Sequence, residues 1–265
     1  MVKALVQDHN LTIALCEEFP NSDPDKLGPL FERKITRIIS PGTLIDEKFM
    51  DPCENNYLLA LSTPPITINN LEDASKAFSQ KVGLAWLDAS TGDFYTQETT
   101  VAELSGDIWR IGPREVVLSD TLKGESGNYI VKRMEDEKLF LTYYKQPPEL
   151  PNQIDTWDEM LESPVTKPMK SKFSELEVQA ASNLLYYIKN QLPGINLTLQ
   201  PPIKRFKEEI MAIDSNSMRG LEIKRTLRDG TSKGSLVHTV KRTVTKSGAR
   251  LLSSWLSEFP IISRS

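Results

Sequence analysis

Apolar residues fall in short alternating runs up to about residue 145 and at helical spacing from residue 174 onward. LTIALCEEF (11–19), preceded by a short helical turn, and FERKITRIISPGT (31–43) both predict strands. In the second, Arg33, Ile35, Arg37 and Ile39 fall on one side and Lys34, Thr36 and Ile38 on the other, until Pro41-Gly42 ends the run. NSDPDKLGPL between them reads as a loop. NNYLLALS (55–62) predicts a third strand, and TPPITINNLEDASKAFSQ after it, polar and with two adjacent prolines, an irregular insertion. KVGLAWLDASTGDFYTQETT (81–100) predicts a hairpin around Ser90-Thr91-Gly92, where Gly92 can take the positive φ of the turn. EVVLSD, NYIVKRM and LFLTYYK predict further short strands.

Val101, Leu104, Ile108 and Ile111 repeat at helical spacing and Gly112-Pro113 stops them. PPELPNQIDTW and SPVTKPMKS read as connectors. A long helix then runs from about Ser174 to Leu192, opened by the capping box of Ser174 and Glu177 and closed by Pro193-Gly194. Ala180, Ala181, Leu184, Leu185, Tyr187 and Ile188 form its buried stripe. Residues 81–192 are thus expected to form a small α/β unit with its own core; its strand order is not fixed by the pattern.

After Gln200-Pro201-Pro202, strand-like pieces lead to Asp214. A helix is predicted over 215–229, capped by Asp214 or Ser215 and ended by Gly230. In TVTKSGARLLSSWL (243–256) Thr245 can cap a helix whose Leu251, Leu252, Trp255 and Leu256 share one face, with Pro260 closing it. Burying each of those four would contribute about 1.5–3 kcal/mol, given something to bury against. Little follows to supply it, so the Leu251/Trp255 face is expected to be partly exposed.

Composition is that of an ordinary globular chain, 39% hydrophobic and 26% charged, with no run as long as a membrane span. The first twenty residues resemble neither a secretory signal nor an Arg-rich transit peptide. Two cysteines, Cys16 and Cys53, and two histidines, His9 and His238, are too scattered for a structural zinc site and suit a reducing compartment. The net charge of −4 is uneven: from Lys204 onward there are 13 Lys and Arg against 6 Asp and Glu, leaving 19 against 30 before it. Such asymmetry suits a nucleic-acid surface, or simply solvated helix faces.

Four stretches carry a family resemblance: IALCEEF with FERKITRIISPGTLIDE, NNYLLAL with GLAWLDASTGDF, MAIDSNSMRGLEIKRTLRDG, and GSLVHTVKRTVTKSGARLLSSWLSEFP. In this order they resemble the MutS family of DNA mismatch-repair proteins over nearly the whole chain. WLDASTGDF with IWRIGPREVVL is most similar to the fungal mitochondrial branch. The resemblance implies an α/β fold in three pieces. Residues 1–65 would be the C-terminal part of a mismatch-recognition domain, 66–200 an RNase H-like connector domain, and 201–265 the first strands and helices of a mainly helical core. It implies mismatched double-stranded DNA and other repair proteins as partners, dimerisation and ATP with magnesium in the full-length family, and a mitochondrial location, with the nucleus as the alternative.

The family reads mismatches with an aromatic wedge in an F-x-E motif. Phe173-Ser174-Glu175 and Phe206-Lys207-Glu208 have those letters but fall in the connector helix and a core strand. The phosphate-cradling string G-x-x-x-x-G-K-S/T does not occur; DGTSKGS is nearest. The expectation is a piece without wedge or ATPase, with no catalytic residue, metal or cofactor of its own. Arg33, Lys34 and Arg37 are the candidate DNA contacts, through phosphates, or else strand charges facing water. Asp88, read as lying on the first strand of the RNase H-like unit, is a candidate nuclease carboxylate with Glu115, Asp120 and Glu125 near it in sequence, or else a hairpin brace. Arg219, Lys224, Arg225 and Arg228 lie on the helix predicted over 215–229, several of them on one face, as a basic patch or else as a solvated face with Glu222 and Asp229 for partners. A stand-alone interaction module is the remaining alternative.

Overall fold

The computed structural model describes residues 2, 4–20, 31–46, 50, 54–64, 71–123, 129–145, 154–193, 195–211 and 213–258. The loop expected at 21–30, Cys53, Glu125, Gly194 and Pro260 lie outside them.

After a helical turn at Ala4–Asp8, Ile13–Pro20 (β1) and Phe31–Ile39 (β2) pair antiparallel as a two-stranded sheet. The alternation predicted for β2 does not run through. Leu15 faces Arg37 and Cys16 faces Ile35, so Thr36 is an extra residue that shifts the register.

The following strands are Tyr57–Ser62 (β3), Lys81–Asp88 (β4), Asp93–Thr100 (β5), Glu115–Ser119 (β6), Leu141–Tyr144 (β7) and Ile203–Lys204 (β8). They form one sheet in the order β7-β6-β3-β4-β5-β8. β3–β4 and β4–β5 are antiparallel; β3–β6, β6–β7 and β5–β8 are parallel. From β3 to β7 this is the RNase H-like arrangement, and β8 extends it at one edge. The sheet already begins at Tyr57, inside the segment 1–65 that sequence set before the connector.

β3 is apolar on both faces because both are covered. Leu58 and Ala60, with Ala85, Leu87, Phe94 and Val117, meet the long helix Glu175–Gln191. Leu59 and Leu61, with Leu84, Trp86, Val116 and Leu118, meet Leu104, Ile108, Ile111, Ile130 and Met134 on the other side. These come from the helices Leu104–Ile111 and Tyr129–Asp136. In chain order the helices are Leu71–Phe78 (α1), Leu104–Ile111 (α2), Tyr129–Asp136 (α3), Lys167–Lys170 (α4), Glu175–Gln191 (α5), Ser215–Gly220 (α6), Leu236–Val240 (α7) and Lys246–Ser257 (α8). α5 reaches the sheet closely at Gly83: a Cβ there would lie 2.2 Å from the Leu176 carbonyl carbon.

Four local expectations are corrected. The stretch read as an irregular insertion contains α1, whose Ala77 is buried. From Tyr129 on, the run NYIVKRM is the helix α3, not a strand, because Ile130 and Met134, one turn apart, both face the core. The connectors contain a 3₁₀ turn at Ile154–Met160 and α4; Trp157 in the former is buried and donates to Ser182 Oγ at 3.0 Å. The helix expected over 215–229 stops at Gly220. Glu222 turns to φ 47°, Ile223 is fully buried, and their carbonyls accept the Leu236 and Val237 amides that open α7. A tertiary strap thus overrides the helical pattern, and Arg219, Lys224, Arg225 and Arg228 do not share a helix face.

Candidate functional site

The hairpin β1–β2 carries the three cations singled out from sequence, and each faces a carboxylate. Arg33 meets Glu18, its cross-strand neighbour, at 2.6 Å; Lys34 meets Glu32 at 3.1 Å; Arg37 meets Asp46 at 3.0 Å. Arg33 and Lys34 are well exposed, with side chains 75% and 56% accessible, whereas Arg37 is mostly covered. Exposed pairs of this kind hold together weakly, by about 0–1 kcal/mol, so a phosphate could replace either acid at little cost.

The chain leaves this hairpin through a buried turn, Ser40 to Leu44. Glu115, fully buried at the start of β6, accepts from Ser40 Oγ at 2.5 Å, from the Gly42 amide at 2.9 Å and from the Tyr187 hydroxyl at 2.7 Å. Burial, then the Glu115 charge, push the Tyr187 hydroxyl far above its ordinary range, so it stays a donor. The hairpin is thereby anchored to the α/β unit from both β6 and α5.

Asp88 is corrected in place, and of the two roles open to it the hydrogen bonds favour the brace. The first strand of the RNase H-like unit is β3, YLLALS, which has no carboxylate; Asp88 ends the second, β4. It is buried and accepts from the Ser90 amide at 2.9 Å, Ser90 Oγ at 2.6 Å and the Asn56 amide at 2.8 Å. That is a hairpin brace. With Glu115 committed as described, the two carboxylates flanking β3 are structural. No group of three or more His, Cys, Asp or Glu converges as a metal site among the described residues.

The densest polar constellation joins the α/β unit to the C-terminal segment. Two strand-type contacts attach the segment to β5: the β8 pairing, and the Arg205 amide donating to the Thr96 carbonyl at 2.8 Å. Lys204 Nζ meets Glu177 Oε2 at 2.6 Å; the same Glu177, fully buried, accepts the Ser174 amide at 2.8 Å in the capping box of α5. Arg110, buried on α2, donates to Gln97 at 2.6 Å, Asp107 at 3.2 Å and Glu258 at 2.7 Å, the last just past the end of α8. Arg205 reaches the other Glu258 oxygen at 3.7 Å. Arg219 pairs with Glu137 after α3, and Lys207 with Glu103 before α2. The Lys207 ammonium, ahead of the opposing effect of burial, holds the Glu103 carboxyl below its usual range.

Lys224 completes the junction. Its ammonium donates to the Arg110 carbonyl at 2.7 Å, one of the carbonyls left open at the end of α2 beside the left-handed Gly112. Burial pulls it down to about 8; Glu258 works against this and Arg110 with it. Sequence reasoning missed this junction. Arg110, a charge one residue from Ile111 in an apolar helix, was its one visible signal.

α8 is capped by Thr245 Oγ1, which accepts the Gly248 amide at 3.1 Å. It buries Ala249 and Ser257 and leaves Leu251 50% and Trp255 62% exposed, so the face questioned from sequence is open.

Fold and junction together define the class: an RNase H-like α/β unit continued into a helical segment bound to its edge, entered from a separate hairpin. Residues 56–198 match the family model for MutS domain II, and residues 216–265 that for MutS domain III. The chain belongs to the MutS family of DNA mismatch-repair proteins. It is similar to the DNA mismatch repair protein MutS of Nitrobacter winogradskyi, 32% identical over 258 residues, 92% of this chain and 26% of that protein. The same-named protein of Desulfatibacillum aliphaticivorans is 31% identical over 264 residues, 98% and 27%. That of Anaplasma phagocytophilum is 29% identical over 252 residues, 94% and 28%. The chain thus spans about a quarter of the length of these relatives.

Proposed function

We propose that this chain supplies the connector and the opening of the core to a protein that binds mismatched duplex DNA under ATP control. The observation that carries this is the junction: Arg110–Glu258 and Arg219–Glu137 hold the segment matching domain III against the unit matching domain II, and β8 and Lys204–Glu177 fasten the stretch between the two matches to that unit. A displacement of either would be passed to the other. The chain itself acts as an adaptor, not a catalyst. ATP and magnesium belong to the full-length protein, as does dimerisation. Arg33, Lys34 and Arg37 are the proposed phosphate contacts; they position DNA and do not read it. Other mismatch-repair proteins would dock on the connector. A mitochondrial location, with the nucleus as the alternative, is part of the proposal and is read by fractionation of tagged protein.

The experiment is to read the transcript beyond codon 265. Continuation into a G-x-x-x-x-G-K-S/T string supports the reading; a stop there, with full repair activity of the short chain, contradicts it.

A further inference from the structure

A cleft of about 530 Å³ opens between the α/β unit and the C-terminal segment, next to Lys224. That volume is within the range of small-molecule sites, about 300–1,000 Å³. Six cationic side chains line it: Arg114, Lys138, Arg219, Lys224, Arg225 and Lys241. Among the described residues only two acids do, and both are engaged, Glu54 by Arg114 and Glu137 by Arg219. Lys138, Lys224, Arg225 and Lys241 are left without a carboxylate partner among the described residues. They come from three separate places: the turn after α3, the strap after α6 and the end of α7. A concave site lined by charge of one sign raises the local concentration of anions.

Lys224 gives the cleft a half-buried cation: its ammonium bonds the Arg110 carbonyl at 2.7 Å, burial disfavours its charge, and the charges of Glu258 and Glu54 offset this only in part. Lys138 enters the lining from the left-handed position that ends α3, where its own amide and that of Leu139 bond back to the Glu135 and Met134 carbonyls.

We propose that this cleft binds a small oligophosphate through Lys138, Lys224, Arg225 and Lys241. Tetrahedral phosphates accept from several ammonium donors at once, and a chain of two or three spans cations that no single carboxylate could reach. Trp109, half-buried, also lines the cleft and offers a face to a base if the phosphates belong to a nucleotide.

The test is calorimetric titration of the 265-residue chain with inorganic tripolyphosphate and, separately, with ATP. Saturable one-to-one binding of tripolyphosphate is expected. It should weaken about tenfold or more in the double variant Lys224→Met, Arg225→Met, since each lost charge-assisted bond is of that order. Lys224 also closes α2, so a second pair on the rim, Lys138→Gln with Lys241→Gln, must weaken binding by a similar factor without lowering the melting temperature. Equal affinity for ATP assigns the site to the phosphates alone; tighter ATP binding with quenched Trp109 emission adds the base platform; both support the site. Absence of saturable binding, equal affinity for citrate, or binding that both double variants leave intact overturns it.

Discussion

Arg110 donates to Glu258 at 2.7 Å across 148 residues of chain, and both side chains are largely withdrawn from water, at 8% and 16% exposure. Breaking a pair of this kind leaves a covered charge uncompensated, which costs about 3–5 kcal/mol. Arg110→Ala should lower stability by about 3 kcal/mol and release α8, read as faster proteolysis near Glu258 than within α5. Equal protease resistance in the variant would mean that α8 is held by its apolar contacts alone.

Glu177 serves α5 and the β8 edge together. Ser174→Ala removes only the cap and should cost about 1 kcal/mol. Glu177→Ala removes the cap partner and strands Lys204, and should cost clearly more. The double variant Glu177→Ala, Lys204→Ala should be less destabilised than the sum of the two single variants, because the stranded charge is gone. Chemical denaturation of the four proteins checks this.

Gly83→Ala is expected to be among the most damaging small substitutions. Its Cβ would fall 2.2 Å from backbone carbon in the first turn of α5, which cannot yield as a side chain could. Overpacking of this kind costs about 1–3 kcal/mol or more. A melting temperature within a degree of the parent would show that α5 can shift.

Lys224 gives a pH signature. Burial, ahead of its other causes, pulls its ammonium down from an ordinary value of 10.5 to about 8 in the folded chain. Between these values the unfolded chain holds more protons than the folded one at this site, so its contribution to stability rises with pH across that window. Below pH 8 both states are protonated and the contribution is flat. The melting temperature of the parent minus that of Lys224→Met should therefore increase from pH 8 toward 10.5. A flat or falling difference contradicts the assignment.

Asp88→Ala should lose the three donors that converge on it and destabilise by about 1–3 kcal/mol. A divalent-ion-dependent nuclease activity that disappears with this substitution at unchanged stability would restore the reading of Asp88 as a catalytic carboxylate.

Elements whose signals are local were legible. Ser174 and Glu177 announced α5, Gly92 the β4–β5 turn, and Thr245 the start of α8. The four quoted motifs announced the family. What failed was decided by distant partners. Tyr129, Ile130 and Val131 have strand-forming side chains, yet the core takes Ile130 and Met134, which only a helix presents together. The helix pattern over 215–229 was sound locally and lost to the pairing of Glu222 and Ile223 with α7. Glu177 was legible as a cap but not as the partner of Lys204. Lys224 was read as one charge on a helix face, because nothing near it in sequence shows the α2 carboxyl end that it closes.

As the adaptor proposed above, the chain would touch DNA only through its phosphates, at the β1–β2 hairpin. The most direct measurement is the affinity of the 265-residue chain for a matched and a G·T-mismatched duplex across salt concentrations, with and without ATP. Equal, weak affinities are predicted, unchanged by ATP, with log K falling against log salt at a slope of about −2 to −3 for two or three phosphate contacts. That slope should collapse in the triple variant Arg33→Gln, Lys34→Gln, Arg37→Gln. A preference for the mismatch, a response to ATP, or a slope that the triple variant leaves unchanged would contradict the account.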